Sequence, residues 1–415
     1  MNNVILTTQL LGRMINMNLG GMLNVCRNMS TDYSAQFGNK ERQIGDNFDV
    51  PKPQRFQGGD GIEWEPEPLY DTKVNVKVDQ FSKVHFQCND IEKTLSLSYI
   101  QKKYAKPIAL ALSNKINSRA AKFIALNTFN SVGTPGTTPN ALLTYLSAGD
   151  KLVRLGLPPN EDLSMIINRT MGSTYIDANK TLYNAAGIIS EQMEKGKVSN
   201  KQLGYTWYSD ETLYKRTTGA YGGTPLVNGA GQAADGGNNA TMTLVTDGWT
   251  AAAATRLKQG DRFTLDNVYS VHPQTRQSTG DLQQFVVLAD AASDGSGNCS
   301  PVIAPAITPS GQQQNVTTSP ADNAALTLVG AASTVSTQGI LMHENAFAFV
   351  SVPLDNPDAK LGVDAKNIRD EQTGMTISVM RAYDYRERTN VFRADALYGF
   401  AWLFREMACI VEAGL

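Results

Sequence analysis

Gly223-Thr-Pro-Leu-Val-Asn-Gly-Ala-Gly-Gln-Ala-Ala-Asp-Gly-Gly-Asn-Asn-Ala-Thr-Met-Thr-Leu-Val-Thr246 opens a segment unlike the rest of the chain. No glutamate occurs between Glu211 and Glu344, and only Lys215 and Lys258 supply lysine there. Both residues are common on either side. Gly, Thr, Val, Ala, Asn and Gln dominate instead, a composition of strands and turns that is poor in strong helix formers. So abrupt a shift, with ordinary chain resuming afterwards, predicts a domain inserted into another, over 223–335. Short strands are expected at 242–246, 262–271, 282–290, 302–307 and 325–329, with turns such as Asp294-Gly-Ser-Gly297 between them. That spacing suits a small β-barrel or sandwich. Four basic residues face eight aspartates in 223–335, so this segment carries −4 and the remainder +2 of an overall −2.

Upstream, 415 residues leave room for about two or three domains. The apolar residues Ile5, Leu6, Leu10, Leu11, Met14, Ile15, Met22 and Leu23 repeat at helical spacing. Asn, Gln and Arg13 interrupt them, and no basic leader precedes them, so they read as an amphipathic helix and neither a signal peptide nor a membrane span. Glycines and prolines at 45–53, 57–61 and 64–68 then prevent a helix. Across 73–88 the even positions Val74, Val76, Val78, Val84 and Phe86 are apolar, while Lys73, Asn75, Lys77 and Lys83 alternate with them. That is a half-buried strand pair or one long ribbon, and with the preceding loop it suggests a projecting hairpin.

A long helix is expected over 98–131, through Ile108, Leu112, Ile116, Ala120 and Ile124, with Pro107 kinking or restarting it. A helix at 140–155, a strand at 163–167, a helix near 175–184 and an aromatic strand at 204–208 follow. Beyond the insertion, strands are expected at 340–354 and 375–383, with a final strand pair near 391–403 and 407–411. The fold class is α+β.

Chemistry is sparse. His85, His272 and His343 lie in no metal-binding spacing, and Cys26, Cys88, Cys299 and Cys409 are far apart. Gly229-Ala-Gly-Gln-Ala-Ala234 matches a dinucleotide-loop pattern but lacks the strand and helix that give such a loop its mechanism. Asp355, Asp358 and Asp364 read either as a solvated acidic loop or as a cation site. Catalytic, cofactor and metal residues are all expected to be absent, and no enzyme activity is expected. An arm and a hairpin without a core of their own point to a protein that packs on its neighbours.

In order along the chain, several motifs resemble the major capsid proteins of tailed bacteriophages. The nearest branch is the short-tailed-phage coat proteins with an inserted β domain, the gene five protein type. They are Gly45-Asp46 with Val50-Pro-Lys-Pro-Gln-Arg-Phe56, Leu95-Ser-Leu-Ser98, Pro107-Ile-Ala-Leu-Ala-Leu112, Gly204-Tyr-Thr-Trp-Tyr208, Lys258-Gln-Gly-Asp-Arg-Phe263, Leu282-Gln-Gln-Phe-Val-Val287, Ser300-Pro-Val-Ile-Ala-Pro-Ala306, His343-Glu-Asn-Ala-Phe347, Arg381-Ala-Tyr-Asp384 and Asp395-Ala-Leu-Tyr-Gly399. The resemblance implies the Johnson fold. Its parts would be an N-terminal arm (1–42), an extended loop hairpin (43–90), a peripheral domain with the spine helix (91–200), an axial domain (201–222 and 336–415) and the inserted domain.

It also implies pentamers and hexamers in an icosahedral virion shell around double-stranded DNA, bound without sequence specificity. Scaffolding protein and portal would act during assembly in the bacterial cytoplasm, with no membrane involved. Lys52, Arg55, Glu63, Trp64, Glu65 and Glu67 are the candidate subunit contacts. Nothing marks a lysine and an asparagine for welding one subunit to the next, so boiled shells are expected to give no covalent ladder. An encapsulin-like compartment caging protein cargo is the alternative on the same fold.

Overall fold

The computed structural model describes residues 8–33, 47–56, 69–89, 101–179, 201–355, 363–370, 373–384 and 389–414. Its contacts divide the chain into two units. One is Met1–Asp49, Asn75–Ala120 and Phe347–Ala401; the other is Val50–Val74, Ala121–Ala346 and Trp402–Leu415.

In the first unit the helix Thr8–Gly20 lies on the strands Val363–Arg369 and Thr376–Asp384. Leu11, Ile15 and Leu19 are fully buried and Met17 is exposed, as an amphipathic helix requires. Each such leucine or isoleucine contributes roughly 1.5–3 kcal/mol by leaving water. Gly12 permits the close approach, since a Cβ there would sit 2.2 Å from Ile368 Cδ1. The sheet beneath runs Phe347–Val352, Thr389–Trp402, Thr376–Asp384, Val363–Arg369, and Gln80–Asn89 pairs with the other edge of Thr389–Trp402. Phe86 and Phe392, opposite each other in register, stack at 5.1 Å.

The alternation over 73–88 is real, but its pairing differs from expectation. Lys73–Lys77 pairs with Asn47–Pro51, and Gln80–Asn89 with Thr389–Trp402, so 73–88 is neither one ribbon nor a pair closed on itself. Alternation reports which face is buried and carries no information about the partner strand.

The long helix is Lys106–Asn127, preceded by a π-helical turn Gln101–Ala105; residues 98–100 lie outside the described residues. Pro107 is the second residue of the α-helix, directly after the π-helical turn. Asn117 donates to the Met22 carbonyl (2.9 Å), and Arg119 to the Tyr398 hydroxyl (3.0 Å).

In the second unit a seven-stranded sheet among the described residues centres on Val335–His343. Ala408–Ala413 and Leu163–Ile167 flank that strand, and Tyr205–Ser209 runs parallel to Leu163–Ile167. The helices Leu142–Arg154 and Arg169–Asn179 bring Tyr145 and Tyr175 onto Trp207, with ring centroids 5.6 and 5.4 Å away. The strand expected at 340–354 is two, Val335–His343 and Phe347–Val352, broken by the short 3-10 helix Glu344–Ala346. The expected final pair is likewise split. Thr389–Trp402 belongs to the five-stranded sheet and Ala408–Ala413 to the seven-stranded one.

Between Val227 and Leu328 the second unit has a further β core. A five-stranded sheet runs Met242–Thr243, Val302–Ala304, Ser278–Val287, Arg262–Val271, Leu326–Leu328. Two further pairs, Gly223–Val227 with Thr246–Trp249 and Thr255–Leu257 with Ala291–Ala292, were not legible in the sequence. Phe263 and Phe285, both fully buried, stack at 5.7 Å inside it.

Four charged side chains join this β core to the seven-stranded sheet. Arg262 is wholly buried and donates to Glu412 (2.8 Å), Gln338 (3.1 Å) and the carbonyls of Ala125 (2.7 Å) and Thr128 (3.0 Å). Arg216 bridges Asp261 and Glu412, the latter at 3.2 Å. Ser336 and Gln338 donate to the second oxygen of Glu412, and the backbone N–H groups of Gly219 (3.0 Å) and Lys258 (2.7 Å) to Asp261. Burial raises the Glu412 carboxyl, but Arg262 and Arg216 outweigh it and hold the group below its ordinary range.

Candidate functional site

Of the six expected subunit-contact residues, Lys52 and Arg55 fall among the described residues; Glu63, Trp64, Glu65 and Glu67 lie outside them. Pro51 and Pro53 hold the backbone around Lys52 extended. The Lys52 N–H donates to the Thr72 carbonyl (2.9 Å), which closes the stem of the hairpin. Gln54 reinforces it by donating to Asp71 (2.8 Å) and accepting from the Tyr70 N–H (3.0 Å).

Both cations turn toward their own chain. Arg55 Nη2 meets Glu406 Oε1 at 2.6 Å, and the Arg55 carbonyl accepts from Gln312 Nε2 at 2.6 Å. The Lys52 amine donates to the side-chain oxygen of Asn239 and stands 4.5 Å from the Phe404 ring centroid and 5.6 Å from that of Trp402. Arg405, almost fully buried, stacks on Trp402 at 3.9 Å. Burial pulls Lys52 down to about 8; Glu406 opposes that shift, while Arg55 and Arg405 add to it. Burial also lowers Arg405 to about 10, opposed by Glu406.

Asn239, Gln312, Trp402, Phe404, Arg405 and Glu406 were all missed by sequence reasoning. They stand 187 or more positions from their hairpin partners, and no local pattern spans that distance. A subtler signal was available at the stem itself. Phe56 (55% exposed), Leu69 (72%) and Tyr70 (44%) are apolar residues at both edges of the Gly/Pro-rich loop and remain open to solvent. Such grouping marks an interaction surface more than scattered exposure does.

The Arg55–Glu406 pair is expected to stabilise the stem. Arg55→Met and Glu406→Gln should each cost about 1.5–3 kcal/mol in urea unfolding, as loss of a charge-assisted hydrogen bond. The double variant should lose less than the sum, because each single change leaves the other partner without its mate. Additive losses would show that the two side chains do not interact.

His343 lies 3.3 Å from Glu161 at an exposed edge, and no cluster of metal ligands occurs among the described residues. Asp364 accepts from the Thr8 hydroxyl at 2.5 Å; Asp358 lies outside the described residues. Among the described residues no helix is long and apolar enough to cross a membrane.

The family model for the P22 coat protein, gene protein 5, matches residues 7–414. No curated protein matches the chain. Among solved structures, one from Mycobacterium phage Che8 is 12% identical, with 93% of this chain and 90% of that one covered and a TM-score of 0.45. The capsid of the cyanophage P-SCSP1u is 11% identical, with 89% and 84% covered and a TM-score of 0.40. The CUS-3 coat protein I-domain is 28% identical over 25% of this chain and 94% of its own length, with a TM-score of 0.18. With the match running through arm, hairpin, long helix, insertion and C-terminal strands alike, the chain belongs to the P22 coat protein family and is a major capsid protein that forms a phage shell.

Proposed function

We propose that this subunit assembles as pentamers and hexamers into an icosahedral virion shell that encloses double-stranded DNA without reading its sequence. Scaffolding protein and portal take part, assembly occurs in the host cytoplasm, and the chain performs no catalysis. The carrying observation is the hairpin stem. It is anchored to its own chain through Arg55 and Lys52, yet it presents Phe56, Leu69 and Tyr70 to solvent. An anchored base with an apolar flank suits an arm that lies on an adjacent subunit. One interface of ordinary size gives modest affinity, and a closed shell multiplies it over many neighbours. Lys52 and Arg55 then act as positioning residues for the stem, and Glu63, Trp64, Glu65 and Glu67 remain the candidate contacts to the neighbour.

The domain assignment we propose follows the division 1–42, 43–90, 91–200, 201–222 with 336–415, and 223–335. The acidic insertion faces outward or bridges capsomers, because its excess of aspartates would be repelled by packaged phosphates. What supports a phage shell over a cargo-caging compartment is the family match, which includes the insertion.

Deleting 57–65 tests the reading. The variant is expected to fold as a subunit but to give no closed shells by electron microscopy, whereas the parent gives shells with nuclease-protected DNA in infected cells. Normal shells from the deletion would remove the hairpin from the mechanism, and shells filled with protein cargo would favour the compartment.

A further inference from the structure

Asn228-Gly229 is the one Asn-Gly pair in the chain, and it directly follows the strand Gly223–Val227. Asparagine before glycine is a dipeptide well able to close on itself, because no Cβ hinders the approach of the glycine nitrogen to the asparagine side chain. Both residues are exposed. Gly229 has a φ of 95°, and nothing lies within 4 Å of the place a Cβ would take, so ring closure is not obstructed there.

The loop 320–324 supplies the chemistry. The Val227 N–H donates to the Ala324 carbonyl (2.9 Å), the Asn323 N–H to the Val227 carbonyl (2.9 Å) and the Gly231 N–H to the Pro320 carbonyl (3.1 Å). These bonds seat Asp322, and the Gly229 N–H donates to Asp322 Oδ1 at 2.8 Å. Asn323 Nδ2 holds the other carboxylate oxygen at 3.0 Å. The carbonyl of that same peptide group, that of Asn228, accepts from Gln232 Nε2 at 2.8 Å. Gln232 is fixed in turn. Its Oε1 accepts from the Val245 N–H at 2.7 Å, and its Nε2 lies 3.0 Å from the Val245 carbonyl and 3.2 Å from that of Gly229. One peptide group therefore has a carboxylate on its N–H and an amide donor on its oxygen. A peptide that is to lose its proton needs both: the base accepts the proton, and the donor stabilises the charge that moves onto oxygen.

We propose that the Asn228–Gly229 turn is a self-modifying site, at which Asp322 and Gln232 promote conversion of Asn228 to aspartate and isoaspartate. Asp322 accepts the Gly229 N–H proton, and the Gly229 nitrogen attacks Asn228 Cγ. The N–Cγ bond forms, the Cγ–Nδ2 bond breaks, and Asp322 returns the proton to Nδ2, which leaves as ammonia. Solvent water then opens the succinimide at either of its carbonyls. Nothing is oxidised or reduced. Attack comes from outside the peptide plane, so the two in-plane hydrogen bonds persist through it, and nucleophile and electrophile are already neighbours in one chain. The product places a new carboxylate beside Asp322 in a segment already rich in aspartate. In the isoaspartyl form it also adds a methylene to the main chain at this turn.

The test follows residue 228 over time in folded full-chain subunits and in the same chain held unfolded in urea at the same pH. Tryptic digestion with fragment-ion sequencing assigns the change to its residue. The folded chain should exchange the amide for an acid, as an aspartate and isoaspartate doublet, about tenfold or more faster than the unfolded one; an open site should fall below the usual span of general-base catalysis. Asp322→Asn keeps the shape and removes the base. Gln232→Glu keeps the oxygen that meets Val245 and removes the donor. Each should bring the folded rate down to the urea rate or below it, while leaving the urea rate unchanged. A wild-type folded rate no greater than the urea rate, a comparison that needs no variant, overturns the proposal, as does a folded rate that Asp322→Asn leaves unaltered.

Discussion

Replacing Glu412 with Ala is expected to unfold much of the protein's stability at once, by about 3–5 kcal/mol, and to abolish shell yield. Glu412 is fully buried and is the only carboxylate that Arg262 contacts among the described residues. Arg216 keeps Asp261, but Arg262 would keep only neutral acceptors, with its charge stranded far from water. A buried ion left without its mate costs more than the pair itself contributes. The informative comparison is the double variant Arg262→Met with Glu412→Leu, which removes both charges and should be markedly less destabilised than Glu412→Ala alone. Urea unfolding of unassembled subunits gives both numbers, and equal losses would show that the network is not coupled. Acid should weaken the same junction. The folded-state pKa of Glu412 lies below its ordinary value, so its contribution is complete above that value and drains away as pH falls through the folded one. Asp261 runs the other way. Burial raises it more than Arg216 and the backbone N–H groups lower it, so it offsets part of the acid effect.

Phe263→Ala should cost about 3–5 kcal/mol and act on the insertion first. The ring is fully buried against Phe285, and the surrounding core includes Trp249, Leu257 and Ile303, which cannot collapse into the space without moving their strands. Limited proteolysis is expected to cut within 223–335 well before the rest of the chain. Because Asp261 and Arg262 precede Phe263 directly, loosening this strand should also weaken the junction with the seven-stranded sheet. Uniform proteolysis along the chain would mean that the β core does not yield independently.

These two expectations show where sequence reading was strong and where it was blind. The strand 262–271 was legible to the residue, as a run rich in Phe, Thr, Leu, Val and Tyr between turn signals. Gly223–Val227, Thr255–Leu257 and Ala291–Ala292 were not, since they are short and pair only locally. Helix ends drifted by a few residues: the helix expected near 175–184 begins at Arg169. At the site, the sequence offers Lys52 and Arg55 as candidate partners for charges on a neighbouring subunit. In the structure each finds a partner in its own chain, and Lys52 is buried among aromatic rings.

The sequence by itself determined the shift of composition over 223–335, the amphipathic helix near the start, the alternating strands and the ordered motifs of a capsid subunit. Each rests on composition or on a short period, and burial of one face imprints such a period locally. Only the tertiary structure decided which strands pair and which charges go inside. A strand's alternation is the same whatever lies beside it, so nothing in 73–88 or 389–413 distinguishes one sheet from another. Likewise Arg216, Arg262, Asp261 and Glu412 look like surface charges in the chain. They become tolerable in the interior only when folding brings opposite charges from 45 to 196 positions apart to within contact.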